Sequence, residues 1–296
     1  MAVFTTGTLQ LPNEMAGALI SKVRDESVVA KLAPASAGTT ILNDQYTLVT
    51  TEPEFEAVAE SGEKSQSDFA TAPKITGNVK FAATLRFSQE VLWADDDTQL
   101  EVLTGATDSL AAAASRALDY GIIHGVSPKT GSPITGVTAL ATAANQQTAT
   151  SPADPVTDID TMPDAIIGKH WNVTGLALAP SYALTMRKVR NDAGARLFPD
   201  LPLDIRSTTA VEGIAAAVSG TVNGDLITPA TGIKAIMGDW GLVKWGIVRQ
   251  IPTKLIEYGD PDNTGRDLQG HNEVALRMEV VYKWVVIDPL GFVVLK

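Results

Sequence analysis

The chain has 296 residues, 45% hydrophobic and 19% charged, enough to bury one sizeable core or two. A formal net charge of -11 and a sequence pI near 4.7 argue against a general phosphate-binding surface, which needs clustered Lys and Arg. Cysteine is absent, excluding a disulfide framework and a thiolate metal site, and no apolar run has transmembrane length or signal-peptide form.

Residues 1–10 are small and polar and read as a tail. Pro12 suits a first helical turn, and Met15, Leu19, Ile20 and Val23 follow at helical spacing. That helix either packs on its own domain or reaches over a neighbour, and the residues leave both open. Residues 27–32, with Val28 and Val29, read as a short strand. From 39 to 87 the chain makes a two-armed excursion. The outgoing arm, 40–59, carries Ile41, Tyr46, Leu48, Val49, Phe55 and Val58, and the polar run 61–68 is the tip. The returning arm alternates, with Val79, Phe81, Ala83, Leu85 and Phe87 on one side and Lys80, Thr84 and Arg86 on the other. An isolated two-stranded ribbon is marginal in water. An extended one needs a surface to lie on, and a neighbouring copy of the chain is the expected surface.

Residues 94–125 read as one long helix. Asp95, Asp96 and Asp97 favour its positive end, Leu100, Leu103, Ala106, Leu110, Ala114, Ala117 and Leu118 mark one buried face, and Gly125 is the stop. The Gly-, Ser-, Thr-, Ala- and Pro-rich stretch 125–155 is connection. Beyond it come a helix over 158–170, with Pro163 allowed only near its first turn, and a buried strand over 175–179 ended by Pro180. Ser181 caps a helix running to Arg190, whose last turn carries Arg187, Lys188 and Arg190, and a second buried strand covers 233–237. This order gives a compact α/β unit. Strands are expected over 242–248 and 254–258, flanking a turn near Pro252. The run 274–286 alternates without a break through Val274, Leu276, Met278, Val280, Tyr282, Trp284 and Val286, and 292–295 is a final strand. The apolar stripe of the long helix is the expected cover for the 274–286 strand.

Little in the chain points to catalysis. His124, His170 and His271 share no ligand spacing and read as surface or boundary residues. Asp260, Asp262 and Thr264 imitate the start of a calcium loop, but Pro261 is awkward there and the twelfth position is His271 rather than a bidentate Glu. Ser61 and Lys64 match a nucleophile–base pattern by letter, on a tip unsuited to hold them rigidly. The 95–97 aspartates are explained by helix capping without an ion. No phosphate loop or dinucleotide fingerprint occurs. More telling is the charge of the excursion. Glu52, Glu54, Glu56, Glu60, Glu63 and Asp68 lie on the outgoing arm and tip, and Lys74, Lys80 and Arg86 on the return. Cross-strand pairing within the ribbon is the first expectation. The second is that the acidic arm seats on a neighbour's basic patch such as Arg187, Lys188 and Arg190.

The layout resembles the major capsid proteins of tailed bacteriophages, the HK-ninety-seven-like family. The pieces that carry it are 12–32, similar to that family's N-terminal arm, and 73–92, similar to the return of its extended loop into the spine helix. Residues 179–199, with Asp192, Gly194, Arg196, Phe198 and Pro199, are similar to the axial helix and loop. Gly238, Asp239 and Trp240 resemble a turn of that fold, and 248–262, 272–277 and 286–292 its closing strands. The resemblance implies an α+β capsid fold: an N-terminal arm (1–38), an extended β-hairpin loop (39–87), a peripheral domain (88–155 and 238–296) with a spine helix and antiparallel sheet, and an axial domain (156–237). It implies a non-enzymatic shell protein without cofactor or metal, forming hexamers and pentamers of an icosahedral head around double-stranded DNA held without sequence-specific contacts. The implied partners are other copies, a separate scaffolding protein, a portal and a decoration protein, with no membrane and with assembly in the bacterial cytoplasm. Subunit contacts are expected at Glu54, Phe55, Glu56, Glu63, Lys64, Phe69, Arg187, Lys188 and Arg190. Lys64 does not match the covalent crosslink of the founding relative, so noncovalent assembly is expected. The alternatives are an encapsulin-type shell of the same fold and an α/β enzyme using 61–68 as a lid.

Overall fold

The computed structural model describes residues 27–33, 35, 45–51, 55–58, 60, 64, 66, 70–75, 77–89, 96–151 and 153–296. The expected helix from Pro12, the 95–97 cap and most of the 61–68 tip lie outside the described residues. The first element is a helix, α1 (Val28–Leu32), where a strand was expected. Its β-branched residues favour a strand, but the amides of Val28 and Val29 donate to the buried Asp119 carboxylate and Ser27 caps Ala30, so the helix's orphan donors are all engaged.

The ribbon pairs β1 (Gln45–Thr51) with β2 (Ala70–Ile75), antiparallel, with an irregularity between Val49 and Thr51. This corrects the expected pairing of arms. The alternating segment is a separate strand, β3 (Gly77–Ser88), which leaves the ribbon and enters the body. Pro73 is tolerated in β2 because every strand of a two-stranded sheet is an edge.

Next comes α2 (Asp96–Asp119), 24 residues, followed by a π-turn (Tyr120–His124) and a left-handed Gly125 at φ 67°. The π-turn forms where the Trp284 ring lies against the chain. A Cβ on Gly121 would stand 2.8 Å from Trp284 Cη2, so only glycine lets the ring approach. The expected pairing of the long helix with the long strand is present. Ala106, Leu110 and Ala111 of α2 pack on Leu276 and Met278 of the sheet beneath, with Ala83, Leu85 and Phe87 beside them. Each fully buried Leu or Met contributes about 1.5–3 kcal/mol.

A short helix α3 (Leu140–Ala143) and strand β4 (Asn145–Gln147) lead to α4 (Pro155–Ile167), capped by Asp154. Pro163 lies beyond the first turn of α4, contrary to expectation. The helix continues through it; the lost backbone bond and ring crowding cost about 3 kcal/mol, offset by burial of Ile159, Met162 and Ile166. Strand β5 (Gly175–Leu178) precedes α5 (Pro180–Lys188), which starts with Pro180 in its first turn, its N-cap Ala179 making no side-chain bond; Ser181 is not the cap. Then come β6 (Ala210–Val211), β7 (Ile214–Val218), β8 (Ala235–Gly238), β9 (Val243–Ile256), β10 (Glu273–Val286) and β11 (Phe292–Leu295). The expected break near Pro252 is absent. β9 continues through it as an edge strand, but its register with β10 shifts by one residue between Ile251 and Lys254, a bulge of the kind that accommodates proline.

Besides the ribbon, two sheets organise the body. One is antiparallel, ordered β3-β10-β9, and the other has six strands ordered β4-β11-β8-β5-β7-β6. β11, expected with the closing strands of the first, lies in the second between β4 and β8. The two sheets are joined twice. Asp239 caps the 3-10 turn Trp240–Leu242 between β8 and β9, and Asp288 caps Pro289–Gly291 between β10 and β11. Because β8 pairs with β11 and β9 with β10, residues 235–295 form one long hairpin threading both sheets. Asp239 N to Gly291 O (3.0 Å) and Ile287 N to Leu242 O (2.9 Å) keep the ladder bonded through the crossing. The main hydrophobic core is continuous from α1 through both sheets, with Trp240 edge-on to Phe292 at 5.5 Å.

Candidate subunit-contact site

The ribbon is held by its own ladder, and the described residues between its two strands are exposed. Phe55 is 103% exposed and Val58 40%, while Glu56, Glu60 and Lys64 are also exposed. Full exposure of a phenylalanine leaves roughly 2 kcal/mol of burial unrealised. Glu54, Glu63 and Phe69 lie outside the described residues. Arg187, Lys188 and Arg190 fall at the end of α5 as expected, Lys188 and Arg190 exposed and Arg187 half-buried, with its Nε lacking a partner among the described residues. No ion pair among the described residues joins this patch to the ribbon.

Two of the return-arm cations, Lys80 and Arg86, find their partners outside the ribbon; the side chain of Lys74 lies outside the described ones. Lys80 pairs with Glu279 of β10. Arg86 inserts into the 259–268 loop, and its guanidinium donates to Asp260 (2.7 Å), Asp262 (Nε to Oδ2, 3.0 Å), Glu273 (3.1 Å), Thr264 (2.8 Å) and the Arg266 carbonyl (3.0 Å). The calcium-like carboxylates therefore surround a side-chain cation. Hydrogen bonding to Arg86 holds the Asp262 carboxyl far below the usual range, and Asp262 in turn keeps Arg86 firmly protonated. The loop's Asp260 accepts from the amides of Thr264 (3.2 Å) and Gly265 (2.7 Å), which shapes it around the arginine.

A buried polar junction was missed at the sequence level. Asp119, fully buried at the end of α2, accepts from the Ser27 hydroxyl, the amides of Val28 (3.0 Å) and Val29 (3.2 Å), and the Thr221 hydroxyl (2.7 Å). His124, expected at a surface or boundary, is buried; its Nε2 donates to the Thr221 carbonyl at 2.7 Å. Burial raises the Asp119 pKa against the pull of its donors and lowers that of His124. Serine, aspartate and histidine meet here, but not as a triad. Ser27 donates directly to the carboxylate, and among the described residues the His124 ring bonds to the Thr221 carbonyl and not to Ser27, so the base does not face the hydroxyl. The junction ties α1, α2 and the loop after β7 together. The one signal for it was an aspartate inside the apolar stretch between Leu118 and Tyr120. Among the described residues no group of His, Cys, Asp and Glu is arranged to hold a metal, and no helix is long and apolar enough to cross a membrane.

An open trough lies on one side of α2. Between α2 and β3 lies a cavity of about 300 Å³ lined by Phe81, Ala83, Leu110, Ala113, Met278 and Val280. Arg116, Lys129 and Leu226 stand around it.

Comparison with known proteins decides the family. The family described as "Phage capsid family" matches residues 7–296. The chain belongs to the phage capsid family. Among solved structures, this capsid chain is similar to one from Mycobacterium phage Ogopogo, at 35% identity and TM-score 0.81, covering 91% of each chain. It is also similar to one from Gordonia phage Cozz, at 29% identity and TM-score 0.76, covering 92% of this chain and 86% of that one. A chain titled "Capsid of empty GTA particle computed with C5 symmetry" shares the fold, at 15% identity and TM-score 0.59 over 92% of this chain and 89% of that one. No curated protein matches. The mixed helix-and-sheet architecture is the HK-ninety-seven-like capsid fold expected from the sequence.

Proposed function

We propose that this capsid protein builds the head of a tailed double-stranded DNA phage by self-assembly into hexamers and pentamers of a closed icosahedral shell. The observation that carries the proposal is the ribbon. β1 and β2 form a two-stranded sheet of their own, which is marginal in water unless covered. Residues beyond β1, Phe55 above all, present apolar surface that a second copy can bury. Membership of a structural family supports a building role, and family kinship supports a place in the virion capsid. We divide the chain into arm, extended loop, peripheral and axial parts, with β3 assigned to the body rather than the loop and β4 and β11 to the six-stranded sheet. The further partners we assign are a scaffolding protein, a portal and a decoration protein, with assembly in the bacterial cytoplasm. A net charge of -11 suits a container that must not grip packed nucleic acid.

Electron microscopy of the purified chain tests this. Closed particles are expected. A monodisperse monomer, with the ribbon protected from proteolysis by its own body, would overturn it. Particle contents, DNA or a protein cargo, separate a phage head from an encapsulin-type shell.

A further inference from the structure

We infer that the face of the β3-β10-β9 sheet turned away from α2 binds the phosphate backbone of duplex nucleic acid, without reading its sequence. The inference rests on the shell reading for its setting and deepens it by naming the side of the subunit that meets the enclosed duplex.

The face follows from register. Leu276 and Met278 of β10 pack on α2, and the Tyr282 hydroxyl donates to its Ala114 carbonyl, so Arg277, Glu279 and Val281 point the other way. Residues directly paired across a ladder share a side. Lys254 is paired with Arg277, Arg249 and Lys80 flank Val281, and Lys244 is paired with Val285. These five cations share one side of three strands. The carboxylate among them is Glu279, which is taken by Lys80. Lys283 lies on the same side but is buried, so it adds nothing to the surface.

Most of that charge is uncompensated. Arg249 and Lys254 are exposed and Lys244 is half-buried, and none of the three is in an ion pair among the described residues. Arg277 donates to the Thr84 hydroxyl (3.2 Å) and the Pro261 carbonyl, which position its charge without cancelling it. Like charges directly opposite each other, as in Lys254 and Arg277, are destabilising. In a chain with 34 Asp and Glu against 23 Lys and Arg, such opposed cations point to a polyanion from outside. The 259–268 loop, its carboxylates engaged by Arg86, bounds the face at one end.

The chemistry favours phosphate over a protein partner. Protein interfaces centre on buried aromatic and large apolar anchors. None of the exposed large hydrophobic side chains among the described residues lies on this face. Cations spread over a sheet reach phosphates and not base edges, so they position a duplex without specifying it. With the rest of the chain acidic, the grip is weak and sensitive to salt.

Fluorescence anisotropy of the full unassembled chain with two labelled duplexes of equal length and unrelated sequence, titrated across salt, tests this. Equal affinity for both is expected, with log K falling linearly against log salt. Arg249→Gln combined with Lys254→Gln should reduce that slope by about 2 without lowering the Tm, since both side chains are exposed and Lys254 faces a like charge. Lys188→Gln combined with Arg190→Gln removes the same charge at the end of α5 and should leave the slope unchanged. No binding at low salt overturns the inference, as does an equal loss in both double variants. Polyglutamate competing as well as unlabelled duplex would assign the face to an acidic protein and overturn it too. These results leave the shell reading intact, because particle formation by the wild type is scored separately by electron microscopy.

Discussion

The Thr221 hydroxyl donates to the buried Asp119 carboxylate at 2.7 Å, while the Thr221 carbonyl accepts from His124 at 2.7 Å. One loop residue is thus gripped through its side chain by Asp119, just before the π-turn, and through its backbone by His124, the turn's last residue. Asp119 also receives Ser27 and the first amides of α1, so three distant segments meet at one carboxylate. Replacing it with alanine strands several buried donors at once. Asp119→Ala is expected to destabilise the unassembled chain by about 3–5 kcal/mol, lowering its Tm by on the order of 10 °C. Ser27→Ala, which removes one donor and leaves the carboxylate engaged, costs about 1 kcal/mol. Thermal denaturation compares the two.

The two titratable members of this junction slope in opposite directions. Burial holds the His124 pKa below its ordinary value of about 6.5. Its contribution is therefore fully present above that value and lost as pH falls through the depressed one. Asp119 is raised, so its folded form binds a proton more readily than the unfolded chain does, and stability falls as pH rises from the ordinary carboxylate range through the raised value. His124→Gln should flatten the stability–pH curve below about 6.5, measured by urea denaturation across pH. An unchanged acid slope would assign that slope to other groups.

The Arg86 clamp predicts a loop that depends on one residue of another strand. Arg86→Ala should return the Asp262 pKa toward the usual carboxylate range, visible in an NMR titration of the side-chain carboxyl. In the wild type the depressed Asp262 contributes stability above the ordinary carboxylate pKa and loses it as pH falls through the depressed value. The variant should lose that part of the acid dependence. Amide exchange across 259–268 should quicken at the same time, because the loop's carboxylates no longer share a cation.

Gly238 tests how tightly the double crossing is packed. A Cβ there would lie 2.6 Å from the Gly291 carbonyl and 2.3 Å from a Phe292 ring carbon. Backbone cannot step aside as a flexible side chain can. Gly238→Ala is expected to cost about 2–3 kcal/mol, read by denaturant unfolding. Gly136→Ala, at a site with open space but positive φ, isolates the cost of backbone conformation alone.

Long periodic elements were legible because their pattern is their cause. The period of two in 274–286 and the apolar stripe of 100–118 each report a buried face, and the faces meet as expected at Leu110, Leu276 and Met278. Pairing partners were not legible. Alternation in 77–88 marks a strand but does not say which strand it joins, while the true partner of β1 contains Pro73 and looks like no strand at all. α1 was misread because its helix is imposed by a carboxylate 91 residues away in the chain. The charges of Lys80 and Arg86 were read against their near neighbours, whereas their partners lie in β10 and the 259–268 loop. Among the contact residues Phe55 is exposed, while the trough could not be seen in sequence because its walls come from five separate segments.

The hairpin of residues 235–295 gives the subunit a mechanical character. Because two covalent crossings run side by side between the sheets, with rungs retained at Asp239 and Ile287, a force that pulls the sheets apart loads peptide bonds rather than a mere side-chain interface. Tension is shared by two backbones bonded to each other, as in a strap doubled over, so a tile in a stretched wall would yield first at its seams with other tiles and not through its own middle.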